Sequence, residues 1–210
     1  MPLTKYVLTT EVPIIWAHVV TPKAENATLG IPSRYEVTFV FTEDHPDFAA
    51  IKAALAAAMK DLKAAGRKVP IERGDKLADA AQEKDRDREC LRGKLLVKAH
   101  LPLMSRKKEA LLPPRLYVAQ DGKFISHSNR ADYTSAFYNG VMVRGEITII
   151  PFEGMGGGAS IWINELVSYN HGDRLNVGGG EDPQNKYGTP VEYVGHVSSK
   201  DPTAGAEISY

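Results

Sequence analysis

The longest alternation of hydrophobic and polar residues in this sequence covers residues 141–169. A period of two, rich in β-branched residues, predicts two half-buried strands, at 141–152 and 159–169. The glycine cluster Gly154–Gly158 lies between them and predicts the turn of a long hairpin, because glycine adopts positive φ readily. In the second strand the alternation places Ile161, Ile163 and Glu165 on one face, and Trp162, Asn164 and Leu166 on the other.

Shorter patterns upstream predict further strands at residues 11–21, 34–42, 91–103 and 116–119. Residues 21–33, which contain prolines and a glycine, are typical of a loop. The strand predicted at residues 116–119 leads into Asp121-Gly122, a dipeptide typical of tight hairpin turns. The strand at 34–42 has the clearest alternation, with Tyr35, Val37, Phe39 and Phe41 on one face.

The hydrophobic period changes to that of a helix between Pro46 and Ala65. Asp44 or His45 can cap this helix, and Asp47 falls in its first turn, where a carboxylate interacts favourably with the helix dipole. Gly66 is a suitable stop. The apolar residues follow one another at intervals of three or four, which predicts a single buried stripe: Phe48, Ile51, Leu55, Met59 and Leu62.

The order of these elements predicts a small antiparallel barrel with an inserted helix. We expect one domain over residues 1–180, with the helical insertion at 46–66 and a charged loop at 68–90. Within that loop, residues 71–76 suggest a turn, and residues 78–89 either a short helix or a mobile segment. Residues 181–210 are rich in Gly, Pro, Ser and Asp, and predict a largely irregular C-terminal tail.

Charge is balanced overall but unevenly distributed along the chain. Among 210 residues, 26 are Lys or Arg and 26 are Asp or Glu, so no global field favours nucleic acid. Residues 84–108 nevertheless contain nine basic and three acidic residues, whereas residues 140–210 contain four basic and nine acidic ones. Any nucleic-acid site must therefore come from local segregation of charge.

The composition also limits the cellular compartment that we expect and the kinds of site that the protein can contain. Cys90 is the single cysteine, which excludes an intramolecular disulfide and a cysteine-based zinc site. The N-terminus does not resemble a signal peptide, and no run approaches the ~20 apolar residues of a membrane span. We expect a soluble protein of the cytoplasm, that of the host cell if the protein is viral.

No motif in the sequence compels a catalytic function. The cluster Gly154–Gly158 is not followed by Gly-Lys-Ser/Thr or by a helix, so it is not a phosphate loop. No serine lies in a nucleophile elbow. A metal-dependent nuclease site built on His171 and Asp173 is one alternative, but Asn-His-Gly-Asp is also an ordinary composition for a turn. We expect no enzyme activity, no metal and no cofactor.

Cations and aromatic residues favour a binding function, because single strands are held by a cationic groove with aromatic faces for the bases. Arg92, Lys94 and Lys98 alternate within the strand predicted at 91–103, which indicates either a row of phosphate contacts or an ordinary solvated face. Arg144 needs a partner, either Glu146, Glu165 or a phosphate. The pattern favours core positions for Trp16, Phe39 and Phe41, and core or edge positions for His18 and His100.

The C-terminal half carries a run of short motifs: Tyr138-Asn139-Gly140 entering a strand, Arg144, the glycine turn, and ASIWINELVSYNHGDRLNVGGG with Gly172-Asp173 and Gly178-Gly179. These motifs resemble those of a family of tailed-phage single-stranded DNA-binding proteins. This family, formerly catalogued as a domain of unknown function, is distantly similar to the replicative single-stranded DNA-binding proteins of other phages. More loosely, the resemblance extends upstream to Val12, with Arg73-Gly74-Asp75 as a short turn.

This resemblance implies an OB fold: a mainly β, five-stranded barrel with the inserted amphipathic helix, the long hairpin and a flexible tail. It implies sequence-independent binding of single-stranded DNA in phage replication or recombination. We expect the cations to contact phosphates and the aromatic residues to stack on bases: Tyr35, Arg92, Lys94, Lys98, Tyr138, Arg144, Trp162 and Arg174.

The resemblance also suggests partners. Replication or recombination proteins are candidates for binding through the C-terminal tail, although only Asp201 and Glu207 lie near the terminal Tyr210. The sequence leaves open whether the chain forms a homodimer. The alternative function is that of a phage structural or assembly protein whose hairpin docks onto other subunits.

Overall fold

A computed structural model describes residues 3–60, 68–84, 86–105, 107–153 and 157–177. The predicted tail therefore lies outside the described residues, and its separation from a domain over residues 1–180 stays a prediction. None of the helices in the described ranges is long and apolar enough to cross a membrane. The elements are β1 (Thr4–Val7), β2 (Val12–Lys23), β3 (Arg34–Phe41), α1 (Pro46–Ala58), β4 (Ile71–Arg73), α2 (Gly74–Gln82), β5 (Leu95–Pro102), β6 (Arg115–Gln120), β7 (Lys123–Ile125), β8 (Met142–Phe152) and β9 (Gly158–Ser168).

Five of these strands close into a ring in the order β2, β3, β5, β9, β8 and back to β2. Neighbours in the ring are antiparallel except β5 and β9, which are parallel where His100 pairs with Trp162. The predicted OB-type barrel is confirmed, with α1 inserted between β3 and β5. The remaining strands extend this wall: β1 pairs with β8, β4 with β5, and β6 with both β9 and β7.

The main core fills the barrel. On the face predicted for β3, Val37, Phe39 and Phe41 are buried in the barrel, as expected for core positions, whereas Tyr35 is half-buried. A second, smaller cluster lies on the other face of β2, β3 and β5 and covers one end of their outer surface. On β5 it includes Leu96, whereas Lys98 and His100, further along the same face, remain accessible. This cluster consists of Ile15, Val40, Leu91, Leu96 and Val177.

Helix α1 begins where the sequence predicts. His45 is its N-cap, and its Nδ1 accepts a hydrogen bond from the backbone N–H of Asp47 at 3.2 Å. The helix ends at Ala58, before the predicted Ala65, and residues 61–67, with Leu62 and Gly66, lie outside the described ranges. The predicted stripe is buried as far as it is described, at Phe48, Ile51, Leu55 and Met59.

The carboxylate of Asp47 anchors the β1–β2 connection to this helix. It is fully buried and accepts hydrogen bonds from the Tyr6 hydroxyl at 2.7 Å and from the N–H and hydroxyl groups of Thr9 and Thr10. Burial alone would raise the pKa of Asp47, but these hydrogen bonds outweigh it and hold the pKa far below its usual value. Asp47 therefore has a structural role besides its favourable position at the helix N-terminus.

The turn expected at residues 71–76 is wrong. Ile71 pairs with Val97 at the edge of β5, and α2 begins directly at Gly74. Gly74 donates its N–H to the Lys94 carbonyl at 2.8 Å, and a Cβ here would overlap the carbonyl oxygen of Leu91. The close approach of two backbones thus explains the glycine that sequence reasoning assigned to a turn. Of the two alternatives left open for residues 78–89, α2 supports a short helix as far as Gln82.

The hairpin of β8 and β9 is confirmed, but the face assignment within β9 is wrong after Asn164. Glu146 pairs with Glu165 whereas Ile147 pairs with Ile163, so Asn164 is one extra residue in β9. Such a β-bulge reverses the alternation. As a result Leu166 is fully buried in the barrel, and Glu165 lies on the outer face.

Candidate nucleic-acid interface

A polar patch covers the outer face of β3 and β5. Glu36 and Thr38 of β3 pair with His100 and Lys98 of β5, and side chains at paired positions project on the same face of a sheet. Arg34 belongs to the same face by alternation. With Trp16 and Lys23 of β2, these residues line a depression of about 210 Å³, which we call the cationic depression.

The three cations of this depression are all paired with carboxylates. Glu36 binds both Lys23 and Arg34, the latter at 2.9 Å, and Lys98 binds Glu72 of β4. Burial would raise the pKa of Glu36, but hydrogen bonds from Lys23 and Arg34 outweigh it and lower the pKa. Three cations face two carboxylates among these described residues, which leaves one net positive charge.

The sequence pattern favoured a core position for Trp16. In the structure Trp16 instead lines the cationic depression. Its φ of 51° is positive, and the β2–β3 register shifts between Ile15 and His18, which marks an irregularity at this point. The Trp16 backbone N–H donates to Asn139 Oδ1 at 2.7 Å, and the indole Nε1 donates to the Val177 carbonyl at 3.3 Å. The guanidinium carbon of Arg88 lies 5.2 Å from the centre of its ring.

A second depression, of about 480 Å³, adjoins the first, and His100 lines both. Its lining is aromatic and aliphatic, and the described lining residues carry no formal charge. Burial and the nearby Arg34 lower the pKa of His100 to about 4, so the imidazole is neutral at pH 7. We call this the aromatic depression; it is lined by Leu3, His100, Pro102, Met104, Ser105, Ile150, Pro151, Phe152, Ser160 and Trp162.

Tyr138 and Arg174, both predicted site residues, lie against each other in a third depression of about 470 Å³. The Arg174 guanidinium carbon is 4.5 Å from the centre of the Tyr138 ring, and the Tyr138 hydroxyl donates to the Gly172 carbonyl at 3.0 Å. Ala17 contributes to this depression, so it begins one residue beyond Trp16 along β2.

The motif carrying the sequence resemblance explains this arrangement. Gly140 has a φ of 98°, and a Cβ there would overlap the Asp173 carbonyl oxygen. A Cβ at Gly172, where φ is 127°, would overlap the Gly140 carbonyl oxygen. The aromatic-x-Gly and Gly-Asp segments are therefore packed backbone against backbone, which places Arg174 over Tyr138. Gly178-Gly179 lies outside the described residues.

The other four predicted residues, Tyr35, Arg92, Lys94 and Arg144, do not line these depressions. Tyr35 and Arg144 each contact other parts of the chain. The Arg130 guanidinium packs over the half-buried Tyr35, 5.2 Å from the ring centre. Arg144 donates its Nε–H to the Leu8 carbonyl at 3.2 Å. Neither expected carboxylate partner binds Arg144, because Glu146 pairs with Lys5 and Glu165 with Arg115.

The predicted row of three cations on one strand face does not form. β5 begins at Leu95, so Arg92 and Lys94 precede it and only Lys98 lies within the strand. Arg92 instead binds Asp79 at 2.8 Å and Glu89 at 2.7 Å. Alternation in sequence was misleading here because the residues before Leu95 form a short 3₁₀ turn, Glu89–Leu91, and its exit.

Of the two residues considered for a nuclease site, His171 and Asp173, the histidine contacts a carboxylate outside the pair. His171 Nε2 lies 2.9 Å from Glu11 Oε2. Across the described residues, no group of three or more His, Cys, Asp or Glu side chains is placed to hold a metal ion.

Comparison with known proteins adds a likeness of fold. No protein-family model matches the sequence, and no curated protein matches it significantly. Among solved structures, the single-stranded DNA-binding protein from bacteriophage Enc34 aligns with a TM-score of 0.58 at 16% identity, over 88% of this chain and 89% of that one. The same protein in complex with single-stranded DNA aligns with a TM-score of 0.60 at 16% identity, over 84% and 89%.

This chain therefore shares its fold with the single-stranded DNA-binding protein from bacteriophage Enc34. This likeness confirms the fold implied by the sequence resemblance. The residues considered below for binding are chosen from the geometry of this chain. A more distant alignment, with a TM-score of 0.45 at 15% identity over 87% of this chain and 99% of that one, is to gp2.5, a single-stranded DNA-binding protein encoded by bacteriophage T7.

Four residues that line these depressions were not among the binding residues predicted from the sequence: Trp16, Lys23, Arg34 and His100. The alternation in β3 was a usable signal for Arg34, because it opposes the face of Tyr35 and Val37. No signal for Trp16 was available, since its exposure depends on the irregularity in β2.

Proposed function

We propose that this protein binds single-stranded DNA without sequence preference, and that it does so along the outer face of β3 and β5. OB folds bind oligonucleotides on the face of their second and third barrel strands, and these are β3 and β5 in this chain. The observation that carries the proposal is the continuous path on this face, from Trp162 past His100 and Lys98 to Trp16.

The cations of this path are suited to phosphate contacts. Lys23, Arg34 and Lys98 lie together, and each is held in position by a carboxylate. A phosphate that approaches them exchanges one anionic partner for another, so the side chains need little reordering. We assign phosphate binding to these three residues and, in the third depression, to Arg174.

Aromatic side chains lie along the same path. Trp162 and Trp16 are half-buried at its two ends, and Tyr138 follows beyond Ala17. Stacking on such rings tolerates any base, because every base has a π-face. The proposal therefore retains Lys98, Tyr138, Trp162 and Arg174 from the sequence, adds Trp16, Lys23, Arg34 and His100, and gives Tyr35, Arg92, Lys94 and Arg144 no place on the path.

The biological role we propose is non-enzymatic protection of single strands during phage DNA replication or recombination. The likeness to the Enc34 protein supports this role, because one structure of that protein is a complex with single-stranded DNA. Contacts with replication or recombination proteins through the tail, and a homodimer, stay hypotheses.

Quenching of intrinsic tryptophan fluorescence by oligo-dT tests the proposal directly, since both tryptophans of the chain lie on the path. We expect strong quenching at low salt, weakening as salt is raised, and little with duplex of equal length. The four cations assigned to phosphates set an upper limit of about 3 on the slope of log affinity against log salt, at ~0.7 per contact. An absence of quenching at low salt would overturn DNA binding and favour the structural or assembly function.

A pair of variants tests the path itself. Lys98→Ala removes a cation from the path, and Arg92→Ala removes an exposed, carboxylate-paired cation away from it. We expect only Lys98→Ala to weaken binding and to lower the salt slope, by about 0.7. Equal weakening by Arg92→Ala would contradict the assignment.

A further inference from the structure

The β6–β7 hairpin extends the sheet beyond the barrel and has no place in the proposed function. Among the described strands β7 pairs only with β6, so it forms one end of the sheet, with β1 at the other. None of the residues that we assign to DNA binding lies on β6 or β7. Phe124, in the middle of β7, is nevertheless a large apolar side chain with 65% of its surface exposed.

The hairpin geometry directs the backbone of Phe124 towards the open edge of the sheet. Asp121-Gly122 is a two-residue turn with φ of 51° and 72°, and Gln120 pairs with Lys123 directly beside it. In such a hairpin the pair next to the turn is hydrogen-bonded, and hydrogen-bonded and non-hydrogen-bonded pairs then alternate. Phe124 and its partner Ala119 are therefore a non-hydrogen-bonded pair. As a result, the N–H and C=O of Phe124 point away from β6.

The residues that follow β7 hold this edge in place. His127 donates its backbone N–H to the hydroxyl of the buried Tyr133 at 2.6 Å, and that hydroxyl donates to the Leu116 carbonyl at 2.7 Å. The His127 and Tyr133 rings also pack edge to face, with their centroids 5.0 Å apart. The edge is thus ordered in the single chain, which lowers the entropic cost of pairing it with another strand.

From these observations we infer that β7 pairs, antiparallel and across a two-fold axis, with β7 of a second copy of this chain. Phe124 then lies opposite Phe124 of the second copy. The N–H of each donates to the C=O of the other, and the two rings become cross-strand neighbours on one face. Such an interface uses the same surface on both copies, as a two-fold axis requires. The inference goes beyond the proposed function and does not depend on DNA binding.

Charge complementarity along the edge favours a second copy as the occupant. In a register centred on Phe124, Lys123 lies opposite Ile125 of the second copy, and Asp121 lies opposite His127 of the second copy. Like charges directly opposite each other would destabilise the pairing, and this register opposes none between residues 121 and 127. The carboxylate of Asp121 can instead accept a hydrogen bond from the imidazole that it faces.

The other end of the sheet is less suited to such pairing. Leu8 donates its N–H to the Gly145 carbonyl at 2.9 Å, so by alternation the backbones of Lys5 and Val7 face the open edge of β1. An exposed lysine on an edge strand is one of the means by which proteins prevent edge-to-edge association. The open edge that favours self-pairing is therefore that of β7.

Opposite charges at position 124 test the pairing. Sedimentation velocity of the full-length wild type should give a sedimentation coefficient that rises with protein concentration, as for a reversible dimer. Phe124→Lys and Phe124→Asp should each stay monomeric, because two like charges would meet at the two-fold axis. An equimolar mixture of the two variants should dimerise again, because a lysine then faces an aspartate. Circular dichroism checks that each variant is folded.

A disulfide cross-link tests the register. Cα atoms of a hydrogen-bonded antiparallel pair lie ~5.5 Å apart, within the range of about 4.4–6.8 Å that a disulfide spans. Phe124→Cys, in a chain that also carries Cys90→Ser, should therefore form a covalent dimer on mild oxidation. Lys123→Cys in the same background is the matched control. It should cross-link far more slowly, because the residue opposite it is Ile125 of the second copy.

Three results would overturn the inference. The first is a wild type that stays monomeric at every concentration, with Phe124→Cys cross-linking no faster than Lys123→Cys. The second is a dimer that persists in both charged variants, which would place the interface elsewhere on the chain. The third is a mixture of Phe124→Lys and Phe124→Asp that stays monomeric, which would exclude the two-fold register centred on Phe124.

Discussion

Glu36 accepts a hydrogen bond from Arg34 at 2.9 Å on the face to which we assign phosphate binding. The same carboxylate also binds Lys23, so it competes with a phosphate for two of the three cations. Glu36→Gln keeps the size of the side chain and removes its charge. We expect the affinity for oligo-dT to rise roughly fivefold, since two unit charges at close range in water interact by ~1 kcal/mol. The salt slope should become steeper, and fluorescence titrations at several salt concentrations measure both.

The control for this variant is Glu89→Gln. It removes one of the two carboxylates that bind Arg92, at 2.7 Å, and leaves Asp79 as the other, away from the proposed path. Its affinity for DNA should equal that of the wild type. A rise as large as that of Glu36→Gln would mean that cations act through overall charge rather than through this face.

Asp47→Asn should destabilise the fold by about 2–4 kcal/mol, because a neutral amide replaces a buried acceptor of charge-assisted hydrogen bonds. The new NH₂ group would also face the donors of Thr9 and Thr10. Urea denaturation at pH 7 measures this loss. Asp44→Asn, at an exposed acid just before the helix, should stay within about 0.5 kcal/mol of the wild type. Similar losses in both variants would contradict the anchoring role of Asp47.

As the pH is lowered, the free energy of unfolding should decrease in two successive pH windows. The pKa of His100 is lowered to about 4, so the unfolded chain, with an ordinary histidine pKa near 6.5, binds a proton first. The contribution of neutral His100 is therefore present above pH ~6.5 and is lost as pH falls towards 4. The pKa of Asp47 is lowered, so its contribution is present above the ordinary pKa of Asp and is lost as pH falls further.

Two variants assign the windows. The groups around His100 are Arg34 and Glu36 on β3, and Trp162 on β9. Urea denaturation of His100→Gln should lack the dependence between pH 6.5 and 4 but keep the loss at lower pH. Asp47→Asn should keep the upper window and lose less stability than the wild type at lower pH, where Glu36, whose pKa is also lowered, still contributes. An unchanged upper window in His100→Gln would refute the assignment.

Gly140→Ala should destabilise the fold by more than about 4 kcal/mol or prevent folding, since the added Cβ would overlap the Asp173 carbonyl. Gly93 is a matched control, because its φ of 69° is also positive but nothing lies within 4 Å of a Cβ placed there. Gly93→Ala should lose only about 1–2 kcal/mol for the left-handed conformation. Equal losses in urea denaturation would show that φ, and not the packing of the two motif segments, makes Gly140 necessary.

Local patterns predicted those parts of the fold in which one period persists. The alternation over 141–152 gave β8, and the spacing of Phe48, Ile51 and Leu55 gave the buried face of α1. Asp121-Gly122 gave the β6–β7 turn, where both residues have positive φ, 51° and 72°. In each case the signal was local, because a few neighbouring residues determine turn chemistry or one buried face.

The remaining features depend on contacts between distant segments. The extra residue Asn164 reverses β9 only because it faces β8, and nothing in its neighbours marks it as a bulge. The carboxylates that hold Lys98 and Arg92 come from β4 and from the turn before β5. The sequence therefore predicted the types of residue in the site better than which of them lie together.

The parallel contact between β5 and β9 has a consequence for the order of assembly. His100 and Trp162 come together at the contact where the last barrel strand joins β5, across more than sixty intervening residues in the sequence. Contacts of such wide separation form slowly, because a long loop must be closed before they are gained. On the ribosome, β2, β3 and β5 emerge well before β9, so the cationic side chains exist on a sheet that is not yet closed. The surface that His100 and Trp162 form together therefore exists only when synthesis has passed Trp162.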